Sequence, residues 1–139
     1  MFKKVLIGYD GSDHSERAAR LAGDFVRSQK DAQLWLVCVV DMVPVSYGEH
    51  YIHQIVVDNK AAGEQLIHDA KQLIGDGVTV HEELLFGGAA ESIINVAKTN
   101  DCDLIIMGTR GLGSLRGILL GSQAHKVIAH APCPVLTVK

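Results

Sequence analysis

The sequence predicts a doubly wound α/β fold, an open five-stranded parallel sheet of the Rossmann type with helices on both faces. Short runs rich in Val, Ile and Leu alternate with stretches in which apolar residues recur three and four positions apart. Strands and helices in this alternation imply parallel strands joined by right-handed crossovers. With 139 residues, 47% of them hydrophobic, and a net charge of −3, the chain is expected to form one compact domain over residues 1–139.

Each of the five apolar runs predicts one strand of this sheet. The runs are Lys4 to Gly8, Gln33 to Val40, Val78 to Phe86, Leu104 to Met107 and Val135 to Val138. Trp35 in the second run is expected to lie in the core. Three cysteines lie in or beside such runs without a C-x-x-C pair, which predicts buried thiols at Cys38, Cys102 and Cys133.

Four helices are predicted between these strands, and each has a sequence signal. They are Asp13 to Gln29, about His50 to Ile74, about Gly88 to Thr99, and a fourth that begins at Ser122 and ends before Pro132. The first opens with D-x-x-E, which predicts a capping box formed by Asp13 and Glu16. Its core face is expected to hold Ala18, Leu21, Ala22 and Phe25.

The segment from Gly108 to Ser122 reads G-T-R-G-L-G-S-L-R-G-I-L-L-G-S and is the strongest indication of function. Glycines let backbone amides approach a ligand, and the first turn of a helix offers unpaired N–H donors with partial positive charge. Ser122 adds a hydroxyl at the helix start, and Arg110 adds a planar cation. This combination predicts a binding site for phosphate groups.

The distribution of charge favours a small anionic ligand over a nucleic acid. From Leu104 to Lys139 there are four basic residues and no Asp or Glu, so this part carries +4. The remainder has 9 basic and 16 acidic residues, or −7. A local cationic region in an acidic protein suits a bound polyanion better than DNA or RNA, so no nucleic-acid partner is expected.

Two loops are expected to form the site together. In doubly wound sheets, ligands bind beyond the carboxyl ends of the strands, where the winding direction reverses. The glycine segment follows the fourth strand and Asp10 follows the first, so the loops face each other if those strands are neighbours. Asp10 could equally cap the next helix. The stretch from Met42 to Gly48 is a candidate flap over the crevice.

Motif spacing narrows the type of ligand. No Gly-Lys pair occurs, which excludes a P-loop, and Arg116 occupies the third glycine position of a dinucleotide fingerprint. The spacing G-x2-G-x9-G-[ST] is met by Gly108, Gly111, Gly121 and Ser122. Together with V-L-I-G-Y-D-G-S at the start, V-V-D after the second strand and C-P-V-L at the end, this chain resembles the universal stress protein family, in its ATP-binding subgroup.

The resemblance implies ATP as the ligand, with Mg²⁺ bound through its phosphates. It assigns the nucleoside end to Asp10 and the backbone at Val39, with Met107 and Gly108 lining it. It assigns the phosphates to a second group, made of Arg110, Gly111, Gly113, Gly121, Ser122 and Gln123. The chain departs from the pattern at Ala124, where many relatives carry a second hydroxyl, and at His125, where an acidic residue is frequent.

The expected function is that of a nucleotide-responsive stress and regulatory module rather than an enzyme. No catalytic motif stands at recognisable spacing, although a slow ATPase or phosphotransferase and an interaction protein without nucleotide remain alternatives. No group of histidines has clear metal-ligand spacing, so no metal site in the protein is expected. The resemblance also implies a homodimer, which would pair the last strand through Val135, Leu136, Thr137 and Val138.

The location expected from the sequence is the cytoplasm. The N-terminus lacks an apolar region of signal-peptide length. No run of 18 apolar residues occurs, so no membrane association is expected.

Overall fold

The computed structural model describes residues 1–40, 49–110 and 120–139. The elements, in chain order, are β1 Lys4–Gly8, α1 Asp13–Ser28, β2 Gln33–Val40, α2 Glu49–Ile74, β3 Thr79–Phe86, α3 Ala89–Thr99, β4 Leu104–Gly108, α4 Ser122–His130 and β5 Val135–Val138. Every predicted strand and helix is confirmed, with bounds that differ by at most one residue. The candidate flap from Met42 to Gly48 lies outside the described residues.

The five strands form one parallel sheet in the order β3-β2-β1-β4-β5. β1 occupies the centre, where Ile7 pairs with Leu36 of β2 on one side and with Ile106 of β4 on the other. The chain therefore winds outward from β1 in both directions, which confirms the doubly wound fold. The adjacency of the first and fourth strands, on which the expected crevice depends, is also confirmed.

Two apolar clusters, one on each face of the sheet, form the core. Alternate side chains of β1 point to opposite faces, so Val5 and Ile7 pack with α1 and α2 while Leu6 packs with α3 and α4. Strands covered on both faces read as continuous apolar runs, which is why they stood out in the sequence. Trp35 is 8% exposed and belongs to the second cluster, as predicted.

The helix α1 begins at Asp13 as predicted, but its capping residue differs from the prediction by one position. Ser12 is the N-cap, since its Oγ accepts a hydrogen bond from the backbone N–H of Ser15 at 3.3 Å. The backbone N–H of Glu16 donates to the carbonyl of Ser12 at 2.9 Å. Ser12 has the extended backbone that a cap requires, which leaves Asp13 inside the first turn. The capping box at Asp13 and Glu16 is therefore wrong.

The inner face of α1 is built from small residues. Ala18 and Ala22 are buried as predicted, but Leu21 is 40% exposed and Phe25 is only partly buried. Gly23 explains the difference, because a Cβ added there would lie 2.2 Å from the carbonyl oxygen of Ile74, at the end of α2. Gly23 therefore faces α2, and Leu21, two positions earlier and on the opposite side of the helix, faces solvent.

The cysteines differ in exposure. Cys38 and Cys102 are buried as predicted, whereas the prediction is wrong for Cys133, which is partly exposed. Burial raises the pKa of both Cys38 and Cys102 to about 12, so these thiols stay protonated and unreactive at neutral pH. Burial also raises the pKa of Cys133.

Among the described residues, no helix combines the length and the apolar character that crossing a bilayer requires.

Candidate functional site

A crevice opens at the carboxyl ends of β1 and β4, where the winding direction of the sheet reverses. The structure brings eight of the ten predicted site residues into its lining: Asp10, Val39, Met107, Gly108, Arg110, Gly121, Ser122 and Gln123. Gly111 and Gly113 lie outside the described residues. The lining also includes residues that were not predicted, among them Gly8, Val37, Ile93 and Thr109.

One side of the crevice is apolar. Val39 of β2 and Met107 of β4 lie there beside Ile93 of α3, which is 4% exposed. A Cβ added to Gly8 would lie 2.8 Å from Cδ1 of Ile93, so glycine at the end of β1 allows α3 to reach the crevice. An apolar wall of this kind suits the flat face of an organic ring.

Asp10 shapes the turn that leaves β1. Its Oδ1 accepts a hydrogen bond from the backbone N–H of Ser12 at 2.9 Å, and its own backbone N–H donates to Oγ of Ser15 at 3.3 Å. Gly11 has a φ of +83°, which glycine adopts without strain. Asp10 thus holds the turn at the crevice, while Ser12 caps α1.

Both ends of the glycine segment meet at the base of the crevice. The backbone N–H of Gly121 donates to the carbonyl of Thr109 at 2.6 Å, and the N–H of Thr109 donates to the carbonyl of Val138 in β5 at 2.8 Å. Thr109 therefore links the residue before α4 to the end of β5, and Arg110, the next residue, lines the same crevice as the start of α4.

The start of α4 offers backbone donors to the crevice. Gly121 is its N-cap and provides no side-chain hydrogen bond, and the first turn carries no acidic residue. The amides at a helix start attract anions, and here they are not satisfied by a capping side chain. Gln123 has a further contact, since its Oε1 accepts from the backbone N–H of Ala90 at 2.9 Å and so caps α3.

Arg110 is held by a residue that sequence reasoning missed. Its Nη2 lies 3.0 Å from Nε2 of His14, and Nδ1 of His14 lies 2.7 Å from Oγ1 of Thr109. Since a guanidinium can only donate, Nε2 accepts and Nδ1 carries the proton that is donated to Thr109. Partial burial, with the nearby charges of Arg110 and Arg17, lowers the pKa of His14, so the ring is neutral at pH 7.

The position of the His14 side chain depends on Gly108, which was predicted as a residue that lines the nucleoside end of the site. A Cβ added to Gly108 would lie 2.8 Å from Cβ of His14 and 3.0 Å from the backbone nitrogen of Ser15. Gly108 therefore lets the first turn of α1 pack against the end of β4. The sequence signal for His14 was its place in the first turn of the helix that follows the first strand, and the signal for Thr109 was its place beside Arg110.

Within residues 1–40, 49–110 and 120–139, no group of three or more His, Cys, Asp or Glu side chains is arranged to hold a metal ion. The crevice instead combines an apolar wall, a helix start and an arginine at the switch point of a parallel sheet. The fold places the protein among the doubly wound α/β proteins, and the crevice lies at the switch point of its sheet.

Comparison with known proteins identifies the family. The model of the universal stress protein family matches residues 1–139. The chain is 41% identical over 140 residues to the universal stress protein in the QAH/OAS sulfhydrylase 3′ region of Thermus aquaticus, covering 100% of both proteins. The chain belongs to the universal stress protein family, as the resemblance had indicated.

Solved structures agree in fold. The hypothetical protein MJ0577 superposes with a TM-score of 0.89 at 29% identity, over 100% of this chain and 96% of that one. A universal stress protein in complex with cAMP gives a TM-score of 0.71 at 23% identity, over 99% and 97% of the two chains. One from Archaeoglobus fulgidus in complex with dAMP gives 0.65 at 22% identity, over 100% and 98%. The last two comparisons show the fold.

Proposed function

We propose that this protein binds ATP in the crevice and acts as a nucleotide-responsive regulatory module. The observation that carries the proposal is the meeting of an apolar wall with an uncapped helix start and Arg110 at one switch point. An adenine nucleotide has the same two parts, a flat ring system and a charged phosphate chain. The cAMP and dAMP complexes of two proteins with this fold support an adenine nucleotide as the class of ligand.

The lining residues fit the two ends of ATP. Val39, Met107 and Gly108 would enclose the nucleoside end, with Asp10 beside it at the end of β1. The phosphates would meet the guanidinium of Arg110 and the amides at the start of α4. Gly111 and Gly113 lie outside the described residues, and we still propose that they contact the phosphates. Bound ATP would place its negatively charged phosphates beside these donors. The phosphate oxygens would hold Mg²⁺.

The crevice favours binding over turnover. Phosphoryl transfer requires a residue that orients water or an acceptor, together with ligands for the metal. Among the described lining residues, Asp10 is the acidic one, and its Oδ1 already accepts the Ser12 amide. We therefore propose that ATP occupancy itself is the signal, which changes a surface that a partner reads. A cytoplasmic location stays a prediction from the sequence.

Calorimetric titration of nucleotide-free protein with ATP, with and without Mg²⁺, tests the proposal. We expect saturable binding of one nucleotide per chain and recovery of intact ATP after hours of incubation with Mg²⁺. Parallel titrations with ADP, AMP and cAMP measure how much the phosphate chain contributes. Absence of binding at millimolar ATP would exclude the proposal, and release of ADP at a steady rate would favour an ATPase instead.

We also propose that the protein forms a homodimer through β5. β5 is an edge of the sheet, and Leu136 within it is 40% exposed. An apolar edge strand is protected when a second copy pairs with it. Sedimentation velocity at tens of micromolar is expected to show a dimer that Leu136→Lys dissociates. A wild-type monomer at that concentration would contradict the assignment.

A further inference from the structure

We propose that His14 is a positioning residue for Arg110 and that it couples the binding of phosphate groups in the crevice to the uptake of a proton. The inference rests on the proposed nucleotide function. It extends that function by naming a residue, outside the predicted site, that makes the affinity depend on pH. His14 lies on α1 and contacts Arg110, which follows β4 and lines the crevice, so the pair joins α1 to the crevice.

The geometry assigns a definite role to each nitrogen of the imidazole. Nε2 accepts from Arg110 at 3.0 Å, and Nδ1 donates to Thr109 at 2.7 Å. The close packing of Gly108 against Cβ of His14 restricts where the ring can lie. The neutral ring therefore occupies one donor of the guanidinium and holds Arg110 at the crevice before any ligand arrives.

Protonation of His14 breaks its hydrogen bond with Arg110. Both nitrogens of an imidazolium are donors, so Nε2 can no longer accept from Arg110, and two cations then face each other. A phosphate group can accept from both at once, and its negative charge removes their repulsion. The charged form of His14 is therefore favoured when an anion is bound and disfavoured when the crevice is empty.

Other charged groups around His14 act on its pKa in both directions. Arg17, one turn further along α1, adds positive charge, and its Nε donates to the carbonyl of Lys139 after β5 at 2.6 Å. Asp13 on α1 and Asp10 at the end of β1 oppose it with negative charge. Burial and the two arginines outweigh the two carboxylates, because the net shift of the pKa of His14 is downward.

The sign of the pH dependence follows from these charges. In the free protein the pKa of His14 lies below its ordinary value of 6.5. A bound phosphate raises it, so ATP binds with proton uptake, and affinity increases as the pH falls through the pKa of the complex. The gain is complete below the pKa of the free protein. Each unit between the two pKa values corresponds to about a tenfold gain in affinity.

The test compares ATP binding by the wild type and by His14→Gln from pH 8 to pH 5.5, by calorimetry in two buffers of different ionisation enthalpy. Glutamine keeps an acceptor for Arg110 and does not titrate. Protonation of ATP itself affects the binding of both proteins equally. The ratio of their Kd values therefore measures the contribution of His14 to the pH dependence. His130→Gln, the same change at an exposed position on α4, is the matched control.

We expect the ratio of the two Kd values to change by roughly three- to tenfold between pH 8 and pH 6, in favour of the wild type. The wild type and His130→Gln should also take up more protons than His14→Gln. An NMR titration of the His14 ring in the wild type, with and without ATP, needs no variant and should show a higher pKa in the complex.

ATP binding with no change in the pKa of His14, or with the same proton uptake in His14→Gln, would overturn the inference and leave the proposed function intact. The same holds if His125→Gln, rather than His14→Gln, removes the additional gain in affinity at low pH. Failure of ATP to bind the wild type at any pH would instead remove the proposed function.

Discussion

Replacing Arg110 with alanine is expected to weaken ATP binding by roughly 10- to 100-fold without unfolding the protein. A hydrogen bond to a charged group contributes about 1.5 to 3 kcal/mol, and each 1.4 kcal/mol corresponds to about a factor of ten in affinity. Arg110 is partly exposed at the rim of the crevice, where its guanidinium contacts His14, so its removal opens no cavity in the core.

Calorimetry with ATP and with AMP separates the role of Arg110 from a general electrostatic effect. Arg20→Ala on α1 removes the same charge from an exposed position and should leave the affinity within about twofold of wild type, as surface charge effects are small. Arg110→Lys should recover part of the loss, because lysine keeps the charge but not the planar donors. Equal affinities in Arg110→Ala and wild type would contradict the phosphate assignment.

Replacing Gly23 with alanine is expected to lower the free energy of unfolding by about 2 to 3 kcal/mol. The added Cβ would lie 2.2 Å from the carbonyl oxygen of Ile74 and 2.9 Å from its carbonyl carbon, both backbone atoms that cannot rotate away. The helices α1 and α2 must separate to admit it. The loss exceeds the gain of about 1 kcal/mol that alanine brings to a helix interior.

Gly63→Ala is the matched control for Gly23→Ala, because it makes the same change inside α2. There the added Cβ would meet Cδ1 of Leu84 at 2.5 Å, the end of a partly buried side chain that can shift. Urea unfolding should place Gly63→Ala within about 1 kcal/mol of wild type. If both variants unfold at the same urea concentration, the close helix contact at Gly23 is not the cause.

The order and bounds of the elements could be read from the sequence because β1, β2 and β4 are buried on both faces. Such strands appear as unbroken apolar runs, and each is separated from the next by a helical pattern. The details of α1 could not be read in the same way. Ser12 and Asp13 are both good caps, and only the packing of Gly23 against Ile74 shows why Leu21 faces solvent.

The candidate site was predictable where a residue ends a strand or begins a helix. Asp10, Gly108 and Ser122 occupy such positions, and the rule for ligands in parallel sheets brings them together. The pair of His14 and Arg110 was not predictable, because the two are 96 residues apart and meet only when α1 packs against the end of β4. The contact of Gln123 with Ala90 likewise depends on how two helices lie side by side.

That contact of Gln123 has a mechanical consequence. It joins the first turn of α4 to the first turn of α3, so displacement of one helix start must carry the other with it or break the bond. The outer surfaces of the two helices lie on the side of the sheet away from α1 and α2. A ligand that displaces the first turn of α4 would therefore displace α3 with it. Ligand binding would then change the outer surface that these two helices form.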